Sequence, residues 1–259
     1  MARSPYFIGF AGKGGTGKTT IAGMLVKYLV EKGKTPVLAV DADANANLNE
    51  VLGMKVEETL GEAREEMKTG VAAGMTKDVY MQMKLEQAVV EAEGYDLIVM
   101  GRPEGAGCYC AANTLLTTYL DKLIGNYAYV VMDNEAGMEH LSRMTTNNLD
   151  LLLVVSDPTR RGIQAASRIF DLTREIRLNI ARKLLLVNQA KEGQTAGIEA
   201  AVKDFGLELS GIVPEDPEVR DFDLRGVPTV KLGSGNKALK ATYGIFDRVV
   251  GNSNVIQSP

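Results

Sequence analysis

The chain sets Gly12-Lys13-Gly14-Gly15-Thr16-Gly17-Lys18-Thr19-Thr20 between an apolar run, Tyr6-Phe7-Ile8-Gly9-Phe10, and a helical pattern from Ile21 to Val30. A glycine-rich turn that joins a strand directly to a helix leaves few folds open. The stretch fits G-x-x-x-x-G-K-[ST], and a preceding strand with a following helix is the context in which that pattern cradles nucleotide phosphates. A glycine turn that contains Lys-Thr by chance would need four glycines, a lysine and a hydroxyl to coincide at this spacing.

The residue types follow from what a triphosphate requires, which is many hydrogen-bond donors at close range. Gly12, Gly14, Gly15 and Gly17 let the backbone around Lys13 and Thr16 turn its amide hydrogens inward, and the helix beginning near Lys18 adds its positive dipole end. Lys18 is expected to reach the β- and γ-phosphates, and Thr19 to complete the oxygen shell of Mg2+. Thr20 is placed to donate to the α-phosphate.

Short runs rich in Val, Ile and Leu recur between helical segments, at 6–10, 36–40, 95–100, 128–132, 151–155, 183–187 and 209–213. Buried parallel strands read this way, and their alternation with helices predicts an α/β fold. The expectation is a mostly parallel twisted sheet of about seven or eight strands with helices on both faces. No linker divides the 259 residues, so residues 1–259 read as one nucleotide-binding domain. Helices are expected over Glu58 to Lys68, Lys84 to Glu93, Arg161 to Asn179 and Lys237 to Val250.

The net charge of −4 and the absence of a basic block argue against nucleic acid and against an anionic membrane as partners. No apolar run reaches the roughly 18 residues of a membrane span. Residues 6–10 are too short for the apolar part of a secretion signal, so a cytoplasmic location is expected. Cys108 and Cys110 are then not a structural disulfide, and one intervening residue would strain such a ring.

In folds of this kind ligands bind beyond the carboxyl ends of the strands. The second strand runs into Val40-Asp41-Ala42-Asp43-Ala44-Asn45, where Asp41 and Asp43 can serve Mg2+ and a water aimed at the γ-phosphate; capping of a helix by Asp43 or Asn45 is the bland alternative. The fourth ends in Asp133-Asn134-Glu135-Ala136-Gly137, in which Asp133 can hold the Mg2+ water shell and the Gly137 amide can sense the γ-phosphate. The sixth ends at Asn188, an amide suited to adenine, and the seventh at Pro214-Glu215-Asp216, a turn that can wall the base. His140 is the sole histidine, and a lone histidine is more often a packing residue than a ligand.

Gly101-Arg102-Pro103-Glu104-Gly105-Ala106-Gly107-Cys108-Tyr109-Cys110 follows the third strand. Thiolates suit zinc, nickel, copper(I) and iron–sulfur centres, but one Cys-x-Cys pair supplies two ligands where closed sulfur sites commonly use four. A twofold dimer would supply the other two. Equally, the pair can be small buried hydrophobes at a helix start. Met75, Met81 and Met83 read as core or interface filling.

With Lys13 in view, the loop resembles the deviant Walker A of the ATPase class that contains MinD, ParA, ArsA and the nitrogenase iron protein, over nearly the whole chain. The resemblance implies that Lys13 reaches across an ATP-sandwich homodimer to the partner's nucleotide. It implies that Asp43 is the switch I carboxylate orienting the attacking water, and that Asp133 to Gly137 form switch II. Lys13, Lys18 and Asp43 would then be the catalytic set, with ATP/ADP and Mg2+ bound. Within the class, Cys108-Tyr109-Cys110 together with Asp133-Asn134-Glu135-Ala136-Gly137-Met138-Glu139-His140 looks most like the CooC/AcsF-type nickel-insertion ATPases, whose Cys-x-Cys pairs meet at a dimer interface. The family often has proline where Ala44 stands.

What this implies is an ATP-hydrolysing metallochaperone. It would carry Ni2+, or Zn2+, between Cys108 and Cys110 of two subunits toward a client nickel enzyme, carbon monoxide dehydrogenase or acetyl-CoA synthase. A positioning ATPase of the ParA/MinD kind and an electron-donating iron–sulfur ATPase are the competing classes.

Overall fold

A computed structural model describes residues 5–43, 45–69, 75–101, 123–134, 148–176 and 178–251. Cys108, Cys110, Ala44, His140 and Glu135 to Gly137 lie outside them.

The described strands are β1 (Tyr6–Ala11), β2 (Val37–Ala42), β3 (Val90–Ala92), β4 (Tyr95–Val99), β5 (Tyr129–Asn134), β6 (Asn148–Ser156), β7 (Asn179–Ala190) and β8 (Leu209–Pro214). They form one eight-stranded sheet in the order β3-β4-β2-β5-β1-β6-β7-β8. Every pairing is parallel except β3 with β4, which is antiparallel. The α/β expectation is met.

Period-two alternation sorts the strand side chains between two cores. Ile8, Phe10, Val131, Leu151 and Leu153 face one cluster; Phe7, Ala11, Val130, Met132, Leu152 and Val154 face the other. Against the first face pack α1 (Lys18–Glu31), α2 (Leu48–Leu52) and the C-terminal helix α8 (Lys237–Val249). The second is covered by α3 (Leu60–Thr69), α4 (Lys77–Ala88), α5 (Arg160–Glu175) and α6 (Thr195–Asp204). The short α7 (Pro217–Leu224) follows β8. Helix α1 buries residues almost all round, from Ile21 through Leu29, because α2 and α8 cover the side turned from the sheet.

β1 is central, flanked by β5 and β6. The chain changes side of β1 between those strands, so the crevice beyond β1's carboxyl end is the topological switch point where such sheets bind ligands. Two expected helices are corrected. Lys84 to Glu93 divides into the end of α4 and the edge strand β3, because β-branched Val89 and Val90 and the turn at Gly94 favour pairing with β4. The helix expected over Arg161 to Asn179 stops at Glu175, and Asn179 already belongs to β7.

Candidate functional site

The loop after β1 depends on Gly12 and Gly17, where a Cβ has no room. Gly12 lies so close to the end of β6 that a Cβ on it would fall 2.2 Å from the Val155 carbonyl oxygen. Gly17, at φ 84°, caps α1, and a Cβ there would fall 2.5 Å from Asn188 Nδ2. Gly15 has open space on its Cβ side. No side chain caps α1 and its first turn carries no acidic residue, so its leading amides and positive dipole end are left for an anion.

Two side chains fold over this loop. The hydroxyl of Thr16 donates to the Lys13 carbonyl at 2.9 Å, and the Lys18 ammonium donates to the same oxygen at 3.3 Å. Lys18 is 7 % exposed; burial pulls its pKa down, against the opposing pull of Asp133 and Asp43. Lys13 is exposed, and its ammonium makes no ion pair among the described residues.

Three carboxylates gather at the ends of β2 and β5. Asp41 and Asp133 are register partners in the parallel pairing of these strands. Both oxygens of Asp41 accept backbone amides, from Asp43 at 3.0 Å and Leu48 at 2.8 Å, while burial pushes its pKa up to about 6. Asp41 therefore ties down the loop that carries Asp43, a use distinct from the Mg2+ ligation expected of it. Asp43 is half-exposed and caps that loop, accepting from the Asn45 amide at 2.8 Å.

Asp133 is 1 % exposed and accepts a hydrogen bond from the Thr19 side chain. Burial pushes its carboxyl up to about 7, and the charges of Asp41 and Asp43 add to that. Among the described residues its buried Oδ1 has no hydrogen-bond partner. A buried orphan acceptor beside a threonine hydroxyl fits a hydrated divalent cation, which would supply the missing donor through its water. Among the described residues no three Asp, Glu, His or Cys side chains stand close enough together to hold a metal ion by themselves.

Asn134, fully buried, turns to the other face of the sheet and donates Nδ2 to the Phe10 carbonyl at 2.8 Å, linking the end of β5 to the strand that feeds the loop. Only the position of this amide at the end of an apolar strand could have announced that link.

The residues expected to meet the base divide. Asn188 reaches the phosphate loop, donating Nδ2 to the Thr16 carbonyl at 3.0 Å. Glu215 pairs with Arg220. Asp216 caps two helices, accepting from the Glu218 and Val219 amides of α7 and the Ala238 amide of α8. A cleft of about 440 Å3 lies beside it, lined also by Pro217, Gly233, Asn236 and Lys237.

Residues 8–230 match the family described as CbiA, the CobQ/CobB/MinD/ParA nucleotide binding domain. The chain belongs to this family and is a P-loop ATPase of the MinD/ParA type. Over 248 residues it is 40 % identical to an uncharacterised ATP-binding protein of Methanocaldococcus jannaschii, covering 94 % of this chain and 98 % of that one. It is 31 % identical over 260 residues to the carbon monoxide dehydrogenase accessory protein CooC of Rhodospirillum rubrum, covering 93 % and 97 %. Among solved structures it is similar to MinD in the MinC:MinD cell division complex of Aquifex aeolicus, with a TM-score of 0.72, 25 % identity and 98 % of both chains covered. Among the described residues no helix is long and apolar enough to cross a membrane.

Proposed function

We propose that this chain, acting as one domain and as a homodimer, is an ATP-driven metallochaperone. It carries nickel, or zinc, between the Cys108 and Cys110 thiolates of two copies toward a client nickel enzyme such as carbon monoxide dehydrogenase or acetyl-CoA synthase. The observation that carries the reading is the end-to-end identity of 31 % with CooC in a chain whose sequence also holds Cys108-Tyr109-Cys110.

The roles of the chain's own groups follow from the site. The amides of Gly12 to Thr20 take the phosphates, and the Lys18 ammonium exchanges a neutral carbonyl for the stronger phosphate acceptor. Thr19 would hold Mg2+ directly and Asp133 its water shell; when bound, Mg2+ neutralises charge on the β- and γ-phosphate oxygens. Asp43, on the loop that Asp41 fastens, orients the attacking water, and Gly137 reads the γ-phosphate from switch II. Among the described residues Lys13 pairs with no anion, and a partner's nucleotide supplies one only in a closed dimer. Closure then sets the spacing of the thiolates and hydrolysis relaxes it.

Equilibrium dialysis against nickel tests this. One nickel per two chains is expected for the wild type, and loss of it in Cys108→Ala/Cys110→Ala; nickel retained by the double variant would remove the metal assignment.

A second reading, a positioning ATPase, is favoured by the similarity to MinD across 98 % of both chains. It requires ATP-dependent co-sedimentation with anionic vesicles or with DNA, which the net charge of −4 disfavours.

A further inference from the structure

We infer that Asn188 is a positioning residue for the phosphate loop, holding it in its phosphate-receiving shape before any base is bound. The inference rests on the nucleotide-site reading above and goes beyond a contact with adenine.

Asn188 stands at the end of β7, with β6 lying between it and β1. Its side chain nevertheless crosses to the loop after β1 and donates to the Thr16 carbonyl at 3.0 Å, 172 residues away in sequence. What aims it is local backbone geometry. The pairing of β7 with β8 shifts register between Val187 and Ala190, and Gln189 takes a left-handed φ of 60°. Such a conformation costs a non-glycine residue about 1 kcal/mol or more and persists where surrounding structure enforces it. The bulge turns Asn188 inward, where it is 8 % exposed, and leaves Gln189 outside.

The loop is shaped to receive the amide. Gly17 has no Cβ, and one would lie 2.5 Å from Asn188 Nδ2 and 3.7 Å from Gln189 Nε2. Thr16, 1 % exposed, is fastened at both ends: its hydroxyl to the Lys13 carbonyl at 2.9 Å, its own carbonyl to Asn188. Without Asn188 that carbonyl becomes a buried acceptor lacking this donor, and the turn that points the loop amides inward loses its outer fastening. A residue that only read the base would leave the loop untouched.

The tests are hydrogen exchange of the nucleotide-free protein, and affinities for ATP and for inorganic tripolyphosphate, which has no base, each with Mg2+. In Asn188→Ala, amide exchange over residues 12–18 should quicken while the rest of the chain is unchanged. Affinity for both ligands should fall by a similar factor, roughly tenfold for one lost buried hydrogen bond. Asn188→Asp keeps the shape and guards against a folding defect while exchanging the donor for a charged acceptor, so its loop exchange should quicken as well, and the affinity comparison rests on Asn188→Ala alone. Unchanged loop exchange in the two variants, quickening in Asn188→Ala alone, or loss of ATP affinity with tripolyphosphate binding intact would each overturn the inference. A wild-type chain that binds neither ligand would instead sink the nucleotide-site reading, and the exchange data would still decide whether Asn188 fastens the loop.

Discussion

Asp41 and Asp133 face each other across the β2–β5 pairing, two buried carboxylates whose pKa values are pushed up to about 6 and about 7. Asp41 gives both oxygens to backbone amides, whereas among the described residues one oxygen of Asp133 has no partner. Burying two carboxylates side by side costs stability, so the fold without nucleotide is strained at this pair.

That strain has a pH signature. A carboxylate whose folded pKa is raised holds its proton after the unfolded chain has released it, so its contribution to stability is lost as pH rises through the folded value. Without nucleotide, these two groups should make stability decline between about pH 4 and about pH 7. Asp133→Asn should flatten the decline and stabilise the chain at pH 8 by on the order of 1–3 kcal/mol while abolishing ATP hydrolysis. Urea unfolding across a pH series, paired with phosphate release, would show both; a destabilised Asp133→Asn protein would mean the carboxylate is not under strain.

Lys13 and Lys18 should separate binding from turnover. Lys18→Ala is expected to lose nucleotide binding. Lys13→Ala should bind ATP nearly as the wild type does and hydrolyse it ~100-fold more slowly, as removal of one transition-state donor does. Calorimetric titration with steady-state hydrolysis separates the two, and a Lys13→Ala enzyme with full turnover would deny the residue any part in catalysis.

Gly17→Ala should be among the most damaging single changes in the loop. The new Cβ would be strained at φ 84° and would collide with Asn188 Nδ2. Gly15→Ala, which meets strain but no atom within 4 Å, should cost less. Comparing their ATP affinities checks the ranking.

Asp216→Ala addresses a residue expected at the base. Burial raises its pKa, but the amides of Glu218, Ala238 and Val219 outweigh it and hold the carboxyl below the usual range. Its capping contribution is therefore present above about pH 4 and lost as pH falls through the depressed value. The substitution should destabilise by about 1–2 kcal/mol at pH 7 and leave the affinity ratio of ATP over GTP unchanged. A collapsed ratio would place Asp216 at the base.

The sheet and the phosphate loop were legible because buried parallel strands are continuous apolar runs and the loop's glycines answer to backbone geometry alone. β3 was not: Val90-Glu91-Ala92 is a short edge strand that becomes one only by pairing with β4. Nor was the reach of Asn188 to Thr16, since it depends on a bulge at Gln189 that no residue type announces. Asp41 and Asp43 read as an equivalent pair in sequence, and burial divides them, one fastening a loop and the other left toward solvent. Cys108 and Cys110 lie outside the described residues and stand on sequence alone.

The most direct measurement is subunit mass and nickel content on the same sample, in ADP and in a non-hydrolysable ATP analogue, for the wild type and Lys13→Ala. The expected result is a wild-type dimer in the analogue carrying one nickel per two chains, with dimer formation weakened in Lys13→Ala. Nickel bound at one per chain to a monomer, indifferent to nucleotide and to Lys13, would contradict a metal held between two copies and governed by ATP.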